Sequence, residues 1–348
     1  MFIRNAWYVA AWDFELAGGP IGRRICGDPV VFYRDAEGRA AALADRCCHR
    51  GAPLHLGEVV ERGLQCGYHG LVFARDGRCV AIPGQDAIPS TAAVRAYPVV
   101  ERNEIVWIWM GEPERADSTA IVEYPFNDDY ANWPHKREVY ALEANYLLVL
   151  DNLMDLTHLA YVHRRTVGGN PSAHVNARMT STPTERGVQF SRWLLDCAPP
   201  ATYAKAVRFS GNVDRWQEFE FVAPGTVLQW TGATDAGTGA DEGRREGGFS
   251  LRIFHGVTPE TEGSCHYFWS AANGYSQDDP GATDRLFEEI AATFMEDKAL
   301  LAEQQASLAE SGETGLVDIK ADVARIQMRR VIRRLIEAEA SRPGPETC

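Results

Sequence analysis

The sequence predicts an α+β protein in two parts: a mostly β domain over residues 1–112, then a domain over 119–348 in which an antiparallel sheet carries a long helix. Three observations lead there. Short apolar runs broken by tight turns fill the first hundred residues. Six more strand-like runs lie between positions 188 and 271. Two long helical patterns close the chain.

Pro29–Tyr33 reads as a strand followed by an Asp-Ala-Glu-Gly turn, and Leu71–Ala74 and Cys79–Ile82 flank Asp76-Gly77, a strong hairpin signal. Glu104–Met110 is a further strand, and the polar stretch Gly111–Ser118 reads as a linker. Asn145–His163 is an apolar helix candidate. Strand-like runs follow at Val188–Leu195, Tyr203–Gly211, Trp216–Val222, Thr226–Thr231, Phe249–Val257 and Cys265–Ala271. Helices are expected over Thr283–Ser311 and Asp318–Ala340. Gly232–Gly248, rich in Gly, Asp, Glu and Arg, reads as a mobile loop.

Composition narrows the function. Asp and Glu total 48 against 35 Lys and Arg, a net charge of −13, which argues against a nucleic-acid partner. No apolar run reaches the roughly 20 residues that span a bilayer, and the first residues lack the pattern of a signal peptide, so a cytoplasmic location is expected. Eight cysteines in 348 residues are too sparse for a disulfide scaffold, and a cysteine cluster in this setting points to metal.

Such a cluster exists. Cys47-x-His49 is followed, sixteen residues later, by Cys66-x-x-His69. Each half supplies one thiolate and one imidazole from a loop containing Gly or Pro. A [2Fe–2S] cluster with two Cys on one iron and two His on the other needs this set, and Gly51, Gly67 and Gly70 let backbone approach it closely. The rival is a structural Cys₂His₂ zinc site, which usually pairs C-x₂₋₄-C with H-x₃₋₅-H rather than mixed halves. Cys48, between the ligands, reads as a buried or half-buried thiol that does not bind iron.

A second constellation lies in the apolar helix candidate. Asp151, Asn152, Asp155 and His158 would share one face, and a polar stripe on a buried helix is costly unless paired or bound to metal. His163 lies five residues beyond His158, about 140° away on an ideal helix at ~100° per residue, so joint ligation needs the helix to end or bulge between them. In the helix Thr283–Ser311 the apolar stripe Phe287, Ile290, Phe294, Leu301 is interrupted by Asp297. Two His and one carboxylate with open positions is the ligand set of non-haem Fe(II) oxygenases. Taken singly, each residue could equally be a satisfied core histidine or a buried ion-pair partner.

Together the two motifs resemble the Rieske non-haem iron oxygenases over nearly the whole chain. Cys47, His49, Cys66 and His69 match that family's cluster ligands, Asp155-x-x-His158-x₄-His163 matches its mononuclear-iron motif, and Glu296-Asp297 matches its late carboxylate. Phe2–Trp12, Asn152–Leu159 and Thr258–Thr261 are similar to the vanillate O-demethylase, toluenesulfonate methyl-monooxygenase and dicamba monooxygenase group. Cys48 departs from the commoner Pro, a departure the toluenesulfonate enzyme shares.

The resemblance implies a Rieske β domain followed by a helix-grip catalytic domain, with one [2Fe–2S] cluster and one mononuclear Fe(II). It implies a head-to-tail homotrimer, or a hexamer made of two, in which Asp155 bridges His69 of one subunit to His158 of the next. A rival role for Asp155 is to orient His158. Asn152 joins Asp155 as a catalytic candidate. The implied reaction uses O₂ to hydroxylate a methyl or methoxy group of a small aromatic acid. The alternative is a ring cis-dihydroxylating dioxygenase. No G-x-G-x-x-G follows a strand, so electrons are expected from a separate NAD(P)H-dependent flavin and iron–sulfur reductase. Substrate contacts are expected at His255, Trp269 and Asn273. The loops 168–171 and 232–248 are candidate gates. The five arginines from Arg325 to Arg334 read as a solvated face, with Val323, Ile326, Val331 and Leu335 packed inward. A helix-grip binding protein with structural zinc, or a pure electron carrier, are readings from other classes. The first predicts colourless protein, and the second leaves Asp297 unexplained.

Overall fold

A computed structural model describes residues 1–312 and 315–341; Cys348 lies outside the described residues. The chain forms two compact units, Met1–Glu123 with Thr258–Glu262, and Tyr124–Val257 with the remainder from Gly263. Among the described residues no helix is long and apolar enough to cross a membrane.

The first unit holds β1 (Trp7–Trp12), β2 (Ile21–Ile25), β3 (Asp28–Arg34), β4 (Ala40–Ala44), β5 (Glu58–Val60), β6 (Gly63–Gln65), β7 (Val72–Phe73), β8 (Cys79–Ala81), β9 (Ala96–Tyr97), β10 (Val99–Arg102) and β11 (Ile105–Trp109). They make three sheets ordered β1-β11-β10, β2-β3-β4-β9 and β5-β6-β7-β8. Strand β3 shows why the run Val-Val-Phe-Tyr lacks a polar face. Its side chains alternate, with Val30 and Phe32 entering one core cluster and Val31 and Tyr33 entering another. The second cluster also contains Cys47, Cys66, Leu64 and Leu71, so the base of both Cys/His loops is packed core. The Asp76-Gly77 hairpin forms as expected, with Gly77 at φ +85°.

The second unit is a seven-stranded sheet of β12 (His135–Leu142), β13 (Arg178–Pro183), β14 (Gly187–Cys197), β15 (Val213–Val222), β16 (Thr226–Asp235), β17 (Phe249–Pro259) and β18 (Cys265–Asn273), in the order β12-β18-β17-β16-β15-β14-β13. The helices are α1 (Tyr146–Leu153), α2 (Leu159–Val162), α3 (Pro171–Val175), α4 (Ala201–Ala206), α5 (Ala282–Ser311) and α6 (Val323–Ala340). Helix α5 packs on β12 and β18, and α6 on β13 and β14. The predicted sheet gripping a long helix is therefore present.

Several elements differ from the sequence reading. Tyr203 begins no strand; it lies in α4, because Pro200 presets the helix start and Ala201-Thr-Tyr-Ala-Lys-Ala favours helix. Strands β12 and β13 were not anticipated. The stretch Gly232–Gly248 is not a free loop. Gly232–Asp235 ends β16, and beyond it Arg245 lies 4.3 Å over the Trp230 ring and 5.0 Å over those of Trp193 and Trp216, with both terminal nitrogens on Glu218. Helix α6 buries Ala324, Met328, Val331 and Ile332, while Val323 is exposed, so the inward face is rotated from the predicted one. Arg329 is no solvated arginine either: its Nε and Nη2 donate to Asp151 at 2.8 and 2.5 Å.

Candidate functional site

In the first unit the two Cys/His loops are built alike. The N–H of Cys47 donates to Ala52 O at 2.8 Å and that of Gly51 to Cys47 O at 2.9 Å. The N–H of Cys66 donates to Leu71 O at 2.8 Å and that of Gly70 to Cys66 O at 3.0 Å. Gly51 and Gly70 sit at φ +72° and +74°, the left-handed conformation each loop needs to close. Both thiols are buried, whereas His49 and His69 are exposed with ring centroids 4.6 Å apart. Burial and the neighbouring Cys66 push the Cys47 thiol up to about 11. Partial desolvation and the nearby His49 lower the His69 pKa from its ordinary value. Two inner thiols and two outer imidazoles on twin loops fit a [2Fe–2S] cluster better than a tetrahedral zinc. Cys48 is exposed, not buried; its neighbour Cys47 points inward, so the chain turns Cys48 to solvent.

In the second unit the predicted 145–163 helix is broken. Asn145 caps α1 by accepting from Leu147 N–H, the helix ends at Leu153, and α2 starts only at Leu159. The break is what lets two histidines five apart converge. His158, His163 and Asp297, the last from α5, bring one ligand atom each to within 4.8 Å of one another, forming a group able to hold a metal ion. Asp297 Oδ1 is 3.1 Å from His163 Nε2 and 3.7 Å from His158 Nε2.

The outer partners fix this geometry. His158 Nδ1 lies 2.5 Å from the Asp155 carbonyl and donates to it, leaving Nε2 free to ligate. His163 Nδ1 meets Glu296 Oε2 at 2.7 Å. Asn152 Nδ2 donates to Asp297 Oδ1 at 3.0 Å. Burial lowers the His158 pKa. Burial also pulls His163 down, but Asp297 and Glu296 outweigh it and leave that imidazole raised. A carboxylate between two imidazoles, with a second carboxylate behind, is an electrostatic trap for a cation, and three donors leave positions open.

The polar stripe is thus split among different partners. Asp151 pairs with Arg329, Asn152 orients Asp297, and the Asp155 carboxylate accepts from Thr157 N–H at 2.8 Å and Thr157 Oγ1 at 2.7 Å. It is the Asp155 carbonyl, not its carboxylate, that touches His158. Replacing Asn152 with alanine is expected to weaken iron binding ~10- to 100-fold, the usual cost of losing an outer partner, while sparing the cluster. Metal titration of the variant checks this, and unchanged affinity would remove Asn152 from that role.

A cavity of about 60 Å³, several water molecules' worth, opens on these donors and is lined mainly by apolar side chains, among them Leu156, Phe219, Ile253 and Phe294. Of the three expected substrate contacts, His255 lines it. Both its nitrogens are engaged, Nδ1 with Tyr267 Oη at 2.7 Å and Nε2 with Gln229 Oε1 at 2.9 Å, and burial pushes it down to about 3. Trp269 and Asn273 do not line the cavity. Trp269 stacks on Phe287 and meets Phe294 edge-on, as core between sheet and α5. Asn273 ties the end of β18 to α5, donating to Tyr275 O and accepting from Thr283 Oγ1. Arg215, Gln217 and Gln229 also line the cavity and were not anticipated. The loop after His163 is pinned, since Arg215 donates to Val167 O and Gly168 O.

Known proteins carry the same arrangement. Residues 6–98 match the Rieske [2Fe-2S] domain, and residues 142–338 match the vanillate O-demethylase oxygenase C-terminal domain. The chain belongs to this family of Rieske oxygenases. The oxygenase is 40% identical, over 99% of its length and 100% of the relative's, to the iron–sulfur subunit of the toluene-4-sulfonate monooxygenase system of Comamonas testosteroni. It is 36% identical to the vanillate O-demethylase oxygenase subunit of a Pseudomonas strain, over 97% of this chain and 96% of that one. The crystal structure of dicamba monooxygenase bound to 3,6-dichlorosalicylic acid matches with a TM-score of 0.91 at 35% identity, covering 98% of this chain and 99% of that one. Another structure of that enzyme, with non-haem iron and dicamba, matches at 0.80 and 32% with the same coverage. The oxygenase is therefore a monooxygenase with a Rieske [2Fe–2S] cluster and a mononuclear iron, and its relatives are components or subunits of multi-component systems.

Proposed function

We propose that the oxygenase hydroxylates a methyl or methoxy carbon of a small aromatic acid, releasing an alcohol or, from a methoxy group, formaldehyde and a phenol. The observation that carries this reading is the apolar cavity opening directly on His158, His163 and Asp297. In this reading those three hold the mononuclear iron, and Cys47, His49, Cys66 and His69 hold the cluster. When bound, the iron supplies dioxygen activation, which no side chain can. The protein's own share is placement. Leu156, Phe219, Ile253 and Phe294 bury the ring and exclude water. Asn152 and Glu296 hold the ligands at fixed angles, and burial lowers the His158 pKa. One O₂, two electrons and two protons convert the methyl C–H to C–OH and water. A methoxy carbon so hydroxylated is a hemiacetal that collapses to formaldehyde.

The electrons come from a separate NAD(P)H-dependent reductase carrying flavin and iron–sulfur centres. The assembly is a homotrimer or a doubled trimer in the cytoplasm, with Asp155 on the path between subunits. The relatives named for toluene-4-sulfonate, vanillate and dicamba support the substrate class. Single turnover of dithionite-reduced holoenzyme with O₂ and a panel of methoxybenzoates and methylbenzenesulfonates tests the reading. Formaldehyde or a hydroxymethyl product is expected. A cis-diol with the methyl group intact would establish ring dihydroxylation instead.

A further inference from the structure

Two arginines lie buried in the second unit with no carboxylate on either guanidinium among the described residues. Arg192 is 0% and Arg215 2% exposed. Arg192 gives its terminal N–H groups to Leu156 O, His174 O and His174 Nδ1. Arg215 gives its own to Val167 O and Gly168 O, and lies over the Tyr203 ring at 4.9 Å. His174 cannot share the charge; burial holds it near 4, and Nε2 meets Gly168 O at 2.6 Å. Burial and the charge of Arg215 together lower Arg192 to about 10. Asp155 offsets part of the Arg192 charge, and the pair remains a buried excess of positive charge of the kind that protein interiors ordinarily neutralise.

Arg215 also lines the cavity, and among the described residues no other lysine or arginine does. Two residues along β15, on the same face, is Gln217, which is 2% exposed and lines the same space. Its side chain makes no hydrogen bond among the described residues, which leaves the N–H groups of its Nε2 to give; its Oε1, an acceptor, is buried without a partner. An amide without a hydrogen bond stands beside a guanidinium that has only neutral carbonyls as partners and a buried, unpartnered Nε; with both side chains nine-tenths buried, this is costly in an empty cavity and useful in a filled one. His255 supplies no positive charge there, because it is neutral and both its nitrogens are engaged.

Resting on the reaction proposed above, we infer that Arg215 and Gln217 form the anion subsite of the cavity: the guanidinium is the counter-charge to the substrate's carboxylate or sulfonate, and the Gln217 amide donates to one of its oxygens. The next inward residue on the strand, Phe219, then lies under the ring. Selectivity for an acid over a neutral aromatic follows from Arg215, and orientation of the anion from Gln217.

The test compares 3-methoxybenzoate with the neutral 3-methoxybenzamide on holoenzyme, measuring both equilibrium binding by calorimetry and KM and kcat. In the unaltered oxygenase the acid binds more tightly. Arg215→Gln is expected to raise Kd and KM for the acid ~10- to 100-fold, the range of a charge-assisted hydrogen bond, with the amide changed less than about threefold. Arg215→Lys restores part of the difference. Because Arg215 also holds Val167 and Gly168, Gln217→Leu, which breaks no internal hydrogen bond, gives a second reading: acid affinity falls about tenfold and the amide gains or holds. Equal losses for acid and amide, or no preference in the unaltered protein, would overturn the subsite. Acid-selective binding without methyl or methoxy oxidation would instead sink the proposed reaction and leave the subsite standing.

Discussion

Asp297→Ala yields a brown protein that keeps its cluster, loses its third iron and turns over more than about 100-fold more slowly, beyond what an outer partner's loss costs. The expectation rests on three distances. Asp297 Oδ1 lies 3.1 Å from His163 Nε2, 3.7 Å from His158 Nε2 and 3.0 Å from Asn152 Nδ2, and its side chain is only 13% exposed. Nothing else in the group carries the negative charge that brings two imidazoles and a cation together. Removing it leaves two neutral donors, and ferrous iron held by two imidazoles alone exchanges into water. The fold should persist, because the neighbours on α5, Ile290, Thr293, Phe294 and Leu301, stay buried without it. Unchanged iron content in the variant would refute the ligand assignment.

Asp155→Asn has the second large effect, with the opposite signature: both metal centres remain and turnover falls by about 100-fold or more, the upper end of outer-partner effects. The substitution is discriminating because of what it leaves intact. The contact to His158 is made by the Asp155 main-chain carbonyl, which no side-chain change removes. The bonds from Thr157 N–H and Oγ1 to Oδ1 persist with an amide oxygen in its place, and only the longer bond of Oγ1 to Oδ2, at 3.1 Å, is changed. Iron content and the position of His158 should therefore be those of the unaltered oxygenase. A loss of electron delivery can then be assigned to the missing charge. It shows as a cluster that reduces normally but reoxidises slowly in the presence of O₂ and substrate. Full activity would take Asp155 off the electron path and leave it as a loop cap.

Both candidate ligand groups could be read from the sequence, for different reasons. The Cys/His halves have a spacing that local loops alone satisfy, so reading them needs no tertiary knowledge. Asp297 was legible as a charge on an apolar stripe, a violation of helix periodicity that asks for a partner. The helix break at residues 154–158 was not. Met154, Leu156 and Leu159 continue the apolar run, and only convergence with α5 makes stopping favourable. The anticipated shared face of Asp151, Asn152 and Asp155 vanished with it, each finding its own partner. Trp269 and Asn273 were misplaced because strand position says which face a residue takes but not whether the space above it is filled. Phe287 and Thr283 fill it. Arg215 and Gln217 went unread because β15 carries polar groups on both faces, with Trp216 and Glu218 turned to the outer one beneath Arg245. Where both faces are mixed, period-two alternation does not tell inside from outside.

The central claim is that one chain holds two iron centres, and iron analysis with the EPR spectrum of dithionite-reduced protein tests it most directly. The account predicts about three irons per chain, a brown colour and a rhombic signal of a His-ligated [2Fe–2S] cluster on reduction, with the third iron lost selectively in Asp297→Ala. Colourless protein with zinc at the Cys/His loops and no reduced signal would contradict it.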